Sequence, residues 1–392
     1  MNILYYCDEY PPTRNGGIGT VVKLVAEAMA KRGHRVFVAG KYWDGDGRQS
    51  VEHTNGVFVI RWHKGSYDTP SIRLCNLMGN RQRKAQLIYS RTHRLLENLI
   101  GKYNIDLVEM PDYVDDFIHY DGLKPSSFSV PMVMRVHGSA SFLFRYFQGV
   151  ENEGKKAQDR AYFQTADAIC TVSGFSKRYV EENLCSDQLI EVIYNPIEDG
   201  MFDNTTMSAD SRTILFLGKV VETKGAFNLI KAFNLVAESH PDIRLRLIGG
   251  GDLERAKCLV NSRFVDRVDF VGFMPHDEVI GEIDSASFCV LPSFFENFSM
   301  AALEVLARKR ALVYTNRASG AELIDDGENG FLVDPDNVGM IAEKMELLLS
   351  DANLRHRLAE NGYDMCRSRF STETIIPQME QYYQSIIEKC RK

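Results

Sequence analysis

Asn2-Ile3-Leu4-Tyr5-Tyr6 is a short apolar strand, Pro11-Pro12-Thr13-Arg14-Asn15-Gly16-Gly17-Ile18-Gly19 is rich in turn formers, and His34-Arg35-Val36-Phe37-Val38-Ala39 is a second strand. Between them Val21, Val22, Val25, Ala28 and Met29 recur close to i, i+3/i+4, the spacing of an amphipathic helix, and Gly33 ends it. Strand, glycine-rich loop, helix, strand is one βαβ unit, so the chain opens as an α/β protein. The glycines let a ligand approach the backbone where the first strand ends. Gly16-Gly17-x-Gly19 lacks dinucleotide-fingerprint spacing, and no acidic residue follows the second strand immediately. A nicotinamide dehydrogenase is therefore disfavoured. A plain turn and helix start fits the same residues.

The alternation continues outward. Strands are expected at 57–61, 106–109, 131–136, 168–172 and 189–194, with Ser173 capping a helix and Asn195-Pro196 closing the series. Residues 41–56 read as a loop. Asp44-Gly45-Asp46 within it, and Asp334-Pro335-Asp336 later, lack further ligands at calcium-loop spacing and read as turns. A polar stretch at 199–212 reads as a linker. A second series follows, with strands at 213–217, 243–248, 268–271, 288–291, 311–315 and 330–333. Two parallel sheets covered by helices are expected. Helices fill 337–392, broken near Ser371 and Pro377.

The strand ends of the second series carry chemistry. Gly218-Lys219-Val220-Val221-Glu222-Thr223-Lys224-Gly225 sets two cations and two glycines before a helix, which suits a diphosphate, although it is not a Walker loop. Gly249-Gly250-Gly251-Asp252 and Gly272-Phe273-Met274 follow the next two strands. The fourth runs into Pro292-Ser293-Phe294-Phe295-Glu296-Asn297-Phe298-Ser299-Met300-Ala301-Ala302-Leu303-Glu304. Ser299 is an N-cap, and a helix start attracts anions. Glu304, among Val305, Leu306 and Ala307, is costly to bury unless paired; the plain alternative is an exposed Glu on a surface helix. In the first series His137 sits where a strand ends, as a site residue or as a hydrogen-bonded structural histidine.

The chain has 392 residues, enough for two substantial cores. Its net charge of -7 argues against general nucleic-acid binding. Residues 1–198 hold 24 basic and 23 acidic side chains, so nearly all the acidity lies beyond them. Eight cysteines form no C-x-x-C pair, which argues against zinc. With no signal-peptide pattern and no 18-residue apolar run, a cytoplasmic location is expected. From Arg73 to Arg94 six cations (Arg73, Arg81, Arg83, Lys84, Arg91, Arg94) interleave with leucines and no acid, broken by Gly79-Asn80. That pattern fits an anionic membrane surface or acceptor; it also fits a solvated basic helix face.

Together these motifs resemble the retaining glycosyltransferases of family four, whose GT-B fold is two facing Rossmann-like domains with the active site in the cleft between them. Gly16-Gly17-Ile18-Gly19 with Gly33-His34-Arg35-Val36 looks like the amino-terminal signature. Lys219 with Lys224 looks like the phosphate-binding pair, and Glu296 with Glu304 fits the E-x7-E motif. Ser319-Gly320-Ala321-Glu322 through Asp326-Gly327-Glu328-Asn329-Gly330-Phe331-Leu332-Val333 looks like the late signature.

The resemblance implies an acceptor-binding domain at 1–198 and a nucleotide-sugar domain at 199–371, with a C-terminal helix of about 372–392 packing back onto the first. It implies a sugar transferred from a UDP- or GDP-sugar to an acceptor hydroxyl with retention, with no cofactor and no metal. Gly17, Lys219 and Lys224 would bind the diphosphate. Glu296, Asn297, Phe298 and Ser299 would bind the donor sugar, Glu304 the ribose, and Phe273 and Met274 the base. His137 and Glu296 would be catalytic. Lys219 stands where the family often has Arg, which keeps the charge and loses the bidentate geometry. Glu-Asn-Phe-Ser replaces the more usual Glu-Gly-Phe-Gly, and Asn297 and Ser299 bear on donor choice. The acceptor, a saccharide or lipid-linked saccharide in cell-surface polysaccharide or glycolipid assembly, is expected at 66–95 and 138–154, with peripheral contact at the inner face of an anionic membrane. The alternatives are a nucleotide-sugar epimerase or phosphorylase on the same fold, or a non-catalytic nucleotide-sugar-binding protein.

Overall fold

The structure, a computed structural model, describes residues 1–12, 16–42, 50–63, 68–114, 126–185, 188–203 and 211–391. Thr13 to Asn15, Asp44 to Gly47, and residues 66–67 and 204–210 lie outside the described residues, as does the side chain of Phe147. The chain divides into two compact units, Met1–Pro196 with Thr372–Lys392, and Ile197–Ser371.

The first unit runs β1 (Asn2–Tyr6), α1 (Gly17–Lys31), β2 (Arg35–Tyr42), β3 (Ser50–Thr54), β4 (Val57–His63), α2 (Pro70–Leu77), α3 (Arg81–Tyr103), β5 (Leu107–Pro111), β6 (Met132–Val136), α4 (Ala140–Gln148), α5 (Glu153–Phe163), β7 (Ala168–Thr171), α6 (Gly174–Asn183) and β8 (Ile190–Val192). Among the described residues these strands form one sheet in the order β3-β4-β2-β1-β5-β6-β7-β8. β1 lies inside it, paired in parallel with β2 through Tyr5–Val38 and with β5 through Tyr5–Glu109. A strand with neighbours on both edges and helices on both faces has no polar face, which is why Ile3 to Tyr6 are apolar and buried. The order reverses between β1 and β5, the place where open α/β sheets bind ligands.

One sequence expectation fails in this unit and another holds. Residues 41–56 are not all loop: β3 pairs antiparallel with β4, closing a hairpin at Asn55 (φ 51°) and Gly56 (φ 81°). Consecutive left-handed residues match the twist of the flanking strands, and Asn-Gly is the dipeptide that adopts them most readily. The expected break at Gly79-Asn80 is present: Thr69 caps α2, and Asn80 accepts from the Arg83 N–H (3.0 Å) to start α3.

The second unit runs β9 (Thr213–Leu217), α7 (Ala226–Val236), β10 (Arg244–Ile248), α8 (Leu253–Cys258), β11 (Val268–Gly272), α9 (His276–Ser285), β12 (Phe288–Leu291), α10 (Met300–Ala307), β13 (Ala311–Thr315), α11 (Gly320–Leu323), β14 (Phe331–Val333), α12 (Val338–Ser350) and α13 (Ala352–Phe370). Its sheet is parallel in the order β11-β10-β9-β12-β13-β14, the doubly wound order of a Rossmann fold, and reverses between β9 and β12. The expected linker begins inside this unit. Asp199–Phe202 is a 3-10 turn with Met201 and Phe202 buried. Arg308 donates to the carbonyls of Met201 (3.1 Å) and Asp203 (2.8 Å) while pairing with Asp284 (2.6 Å).

The last helix, α14 (Thr372–Cys390), belongs to the first unit. Glu380 pairs with Arg32 (2.6 Å) and His34 (3.0 Å), and the Tyr383 hydroxyl donates to buried Glu109. The helix continues through Pro377, contrary to the expected break. A helical proline costs about 3 kcal/mol. Burial of Ile375, Ile376, Met379 and Tyr383, at about 1.5–3 kcal/mol for each large apolar side chain, outweighs it.

Candidate functional site

In the second unit the loops leaving β9, β10 and β11 are laced together by backbone. The Gly218 N–H donates to Ile248 O (3.0 Å), Val220 to Gly250 (2.9 Å) and Gly249 to Gly272 (2.8 Å). The close approach of these loops requires glycine, as two positions show. A Cβ on Gly249 (φ 136°) would stand 2.0 Å from the Gly218 carbonyl oxygen, and one on Gly225 (φ 71°) 1.9 Å from that of Pro292. The second approach pins the turn after β9 to the loop after β12, across the point where the strand order reverses.

That approach brings Lys224 to Glu296. The Lys224 ammonium donates to the Glu296 carboxylate at 2.7 Å, and the Ser293 hydroxyl donates to the same oxygen at 2.9 Å. Ser319 holds the Glu296 backbone, donating its hydroxyl to the carbonyl oxygen (3.1 Å). Ser299 caps α10, accepting from the Ala302 N–H (3.3 Å), a contact worth about 1 kcal/mol. Asn297, Phe298 and Ser299 are buried in the same loop. Lys219 is exposed on the β9 loop and makes no ion pair with Glu296.

Glu304 is buried on α10, and its carboxylate is paired with His276 Nε2 at 3.0 Å. His276 opens α9, two residues beyond Met274, so it joins the β11 loop to α10. Phe273 stands 85% exposed on that loop, a large aromatic left in solvent three residues before His276, and Met274 is half-buried. Sequence reasoning missed His276. The only available signal was the unpaired apolar setting of Glu304, which demanded a partner without naming one. Ser293 and Ser319 were missed in the same way.

In the first unit, α1 begins at Gly17, where a Cβ would meet nothing within 4 Å, so that backbone is open to approach. His137 follows β6. Its backbone N–H donates to Asp112 (2.9 Å), as does that of Gly138 (3.0 Å), so one buried carboxylate clamps the loop. Burial pushes the Asp112 carboxyl up to about 7 against those two hydrogen bonds. Burial, with the nearby Arg135 guanidinium, pushes the His137 imidazole down to about 3, so it is neutral at pH 7. Beneath it Arg135 donates to the carbonyls of Ile193 (3.1 Å) and Tyr194 (3.3 Å). Asp112 was missed because the strand was expected to end at 109.

The second unit thus offers one carboxylate paired with a lysine, one hydrogen-bonded to a histidine, and a second, exposed lysine, and the first offers open glycine backbone and a neutral histidine. Known proteins resemble this chain in sequence and fold. A sequence model described as "Glycosyltransferase Family 4" matches residues 15–200, and one described as "Glycosyl transferases group 1" matches residues 200–365. A glycogen synthase of Mycobacterium tuberculosis is 26% identical over 405 residues, covering 98% of this chain and 94% of that one. Among solved structures, sucrose-phosphate synthase from Thermosynechococcus elongatus superposes with a TM-score of 0.76 at 19% identity, covering 99% of both chains. HepE of Anabaena, solved with UDP-glucose, superposes with a TM-score of 0.72 at 16% identity, covering 98% of this chain and 100% of that one. The fold is therefore GT-B, two Rossmann-like domains with parallel sheets covered by helices. The two sequence models meet at residue 200 and together take in residues 15–365, and the chain belongs to the group 1 and family 4 glycosyltransferases.

Proposed function

We propose that this protein moves a sugar from a nucleoside diphosphate sugar to an acceptor hydroxyl, with retention of anomeric configuration and without a metal. The observation that carries the reading is the Lys224–Glu296 pair, which sits with Ser293 where the strand order of the second unit reverses. A diphosphate arriving there meets Lys224, the exposed Lys219 and the capped start of α10, three sources of positive potential that can replace a divalent cation. Glu296 then accepts from donor sugar hydroxyls, with Asn297, Phe298 and Ser299 beside it. Glu304 accepts from the ribose hydroxyls, and exposed Phe273 with Met274 lies along the base. From the first unit we assign Gly17 to the diphosphate and His137, held neutral by burial, to the donor sugar.

The leaving diphosphate is the group that needs stabilising as the sugar becomes oxocarbenium-like. Front-face attack by the acceptor hydroxyl is the favoured route. A Glu296 nucleophile is disfavoured because the ammonium and hydroxyl that donate to its Oε1 draw charge from the carboxylate and lower its nucleophilicity. The solved UDP-glucose complex of HepE favours a UDP-sugar over a GDP-sugar. We assign the acceptor, a saccharide or lipid-linked saccharide of a surface polysaccharide or glycolipid, to 66–95 and 138–154.

The test is product analysis with UDP- and GDP-sugars in the presence of a chelator. The expected result is a glycosylated acceptor, free nucleoside diphosphate and an anomeric coupling constant matching the donor. Isomerised free nucleotide sugar would identify an epimerase, phosphate-dependent cleavage a phosphorylase, and donor binding without turnover a sensor. An inverted anomer would overturn retention alone.

A further inference from the structure

The elbow between α2 and α3 is not used by the donor chemistry. α2 buries Ile72 and Cys75 on one side. Leu74, Leu77 and Met78, at i, i+3 and i+4, occupy another side and are 55%, 85% and 70% exposed. Large apolar side chains at helical spacing in solvent mark a binding surface. The chain turns there at Gly79 (φ 63°) and restarts at Asn80, so Arg81 and Arg83, both exposed, stand immediately beyond the apolar cluster. Lys84 and Arg94 extend the positive charge along α3. Among the described residues of the elbow Asp68 is the acid at hand, and it is taken up by Arg73 at 2.9 Å. Among the described residues, a chain of net charge -7 thus concentrates cations with no ion-pair partner, Arg81, Arg83, Lys84 and Arg94, around an exposed apolar tip.

We propose that this elbow docks on an anionic lipid bilayer, with Leu74, Leu77 and Met78 entering the headgroup–acyl boundary and Arg81, Arg83 and Lys84 meeting lipid phosphates. Charge complementarity selects this occupant. A second copy of the chain would bring the same cations against each other, and like charges across an interface oppose association. Arginine and lysine just beside inserted apolar residues match the division of a bilayer surface into anionic headgroup and hydrocarbon. The proposal stands on the elbow's own geometry and does not depend on the identity of the donor.

The test is co-sedimentation of the full chain with vesicles of phosphatidylcholine alone and of phosphatidylcholine mixed with phosphatidylglycerol. Wild type is expected to bind the mixed vesicles, less tightly as salt rises, and to leave the neutral ones. Leu77→Ser with Met78→Ser should weaken binding by tenfold or more, on the order of the loss of two buried side chains. Arg81→Ser with Arg83→Ser should weaken it by about fivefold per arginine at low salt. All four sites are exposed, so thermal unfolding and nucleoside diphosphate binding should match wild type in both variants. No binding of wild type to mixed vesicles, or equal binding by the apolar variant, overturns the proposal. So does a wild-type dimer by light scattering that Leu77→Ser with Met78→Ser returns to monomer.

Discussion

The two switch points hold their ionisable groups in opposite ways. In the second unit both site carboxylates are engaged by a basic side chain, Glu296 by the Lys224 ammonium at 2.7 Å and Glu304 by the His276 imidazole at 3.0 Å. In the first, Asp112 and His137 are desolvated and driven toward neutrality, the acid up to about 7 and the base down to about 3. A paired ion can be handed over: an incoming phosphate or hydroxyl substitutes for the partner, and little charge is stranded. A neutral, clamped loop has no such exchange to make. The charged half is therefore suited to an ionic nucleotide donor, and the neutral half to hydroxyl groups of a sugar.

The largest expected effect breaks the charged half. Lys224→Ala should lower turnover by about a thousandfold, in the range of losing one main electrostatic stabiliser of a leaving group, while the fold stays intact by circular dichroism. Near-wild-type turnover by the folded variant would remove Lys224 from the site. The next effect compares glycines. Gly225→Ala places a Cβ 1.9 Å from Pro292 O at positive φ and should cost on the order of 3 kcal/mol in denaturant unfolding. Gly17→Ala enters open space and should change stability by less than about 0.5 kcal/mol, while slowing transfer if its backbone meets the diphosphate. Equal destabilisation would mean the two loops are not built differently.

Glu304→Gln should weaken UDP binding by about tenfold, the scale of a charged hydrogen bond, and leave binding of the 2′-deoxy analogue much less affected. His276→Ala should show the same preference at a few-fold, because it orients Glu304 without touching the nucleotide itself. Calorimetry with both nucleotides reads the difference, and equal losses for the two would take the ribose away from Glu304.

The smallest effect is a slope. Unfolded, His137 takes its proton near 6.5; folded, only near 3, so His137 makes stability rise as pH rises between those values. Folded, Asp112 keeps its proton to about 7, against 3.8 unfolded, so Asp112 makes stability fall as pH rises through that window. The slopes oppose in wild type. Asp112→Asn removes the second, so its stability should climb more steeply from pH 4 to 6.5, and parallel profiles would contradict the assignment.

The fold was legible because its signals are local. Apolar runs, helical spacing and glycines at strand ends place Asn2–Tyr6, Thr213–Leu217 and their loops without knowledge of neighbours. Asn55-Gly56 was equally local and was read as part of a long loop because the acidic and glycine residues before it dominated. The helix through Pro377 needed the packing of Tyr383 on Glu109, which is a tertiary fact. For the site, the residue types of Lys224, Glu296 and Glu304 were readable. Their pairings were not: His276 is 28 residues from Glu304 and Lys224 is 72 from Glu296, and only the crossovers of the sheet bring them together.

The measurement that reaches the central claim most directly is thermal unfolding of the full chain against a panel of UDP- and GDP-sugars. A donor that binds the native state raises the apparent melting temperature by mass action. The account predicts that at least one nucleotide sugar raises it by several degrees without added metal, and that Lys224→Ala cancels the rise. A panel that moves nothing, or a rise that Lys224→Ala leaves whole, would contradict it.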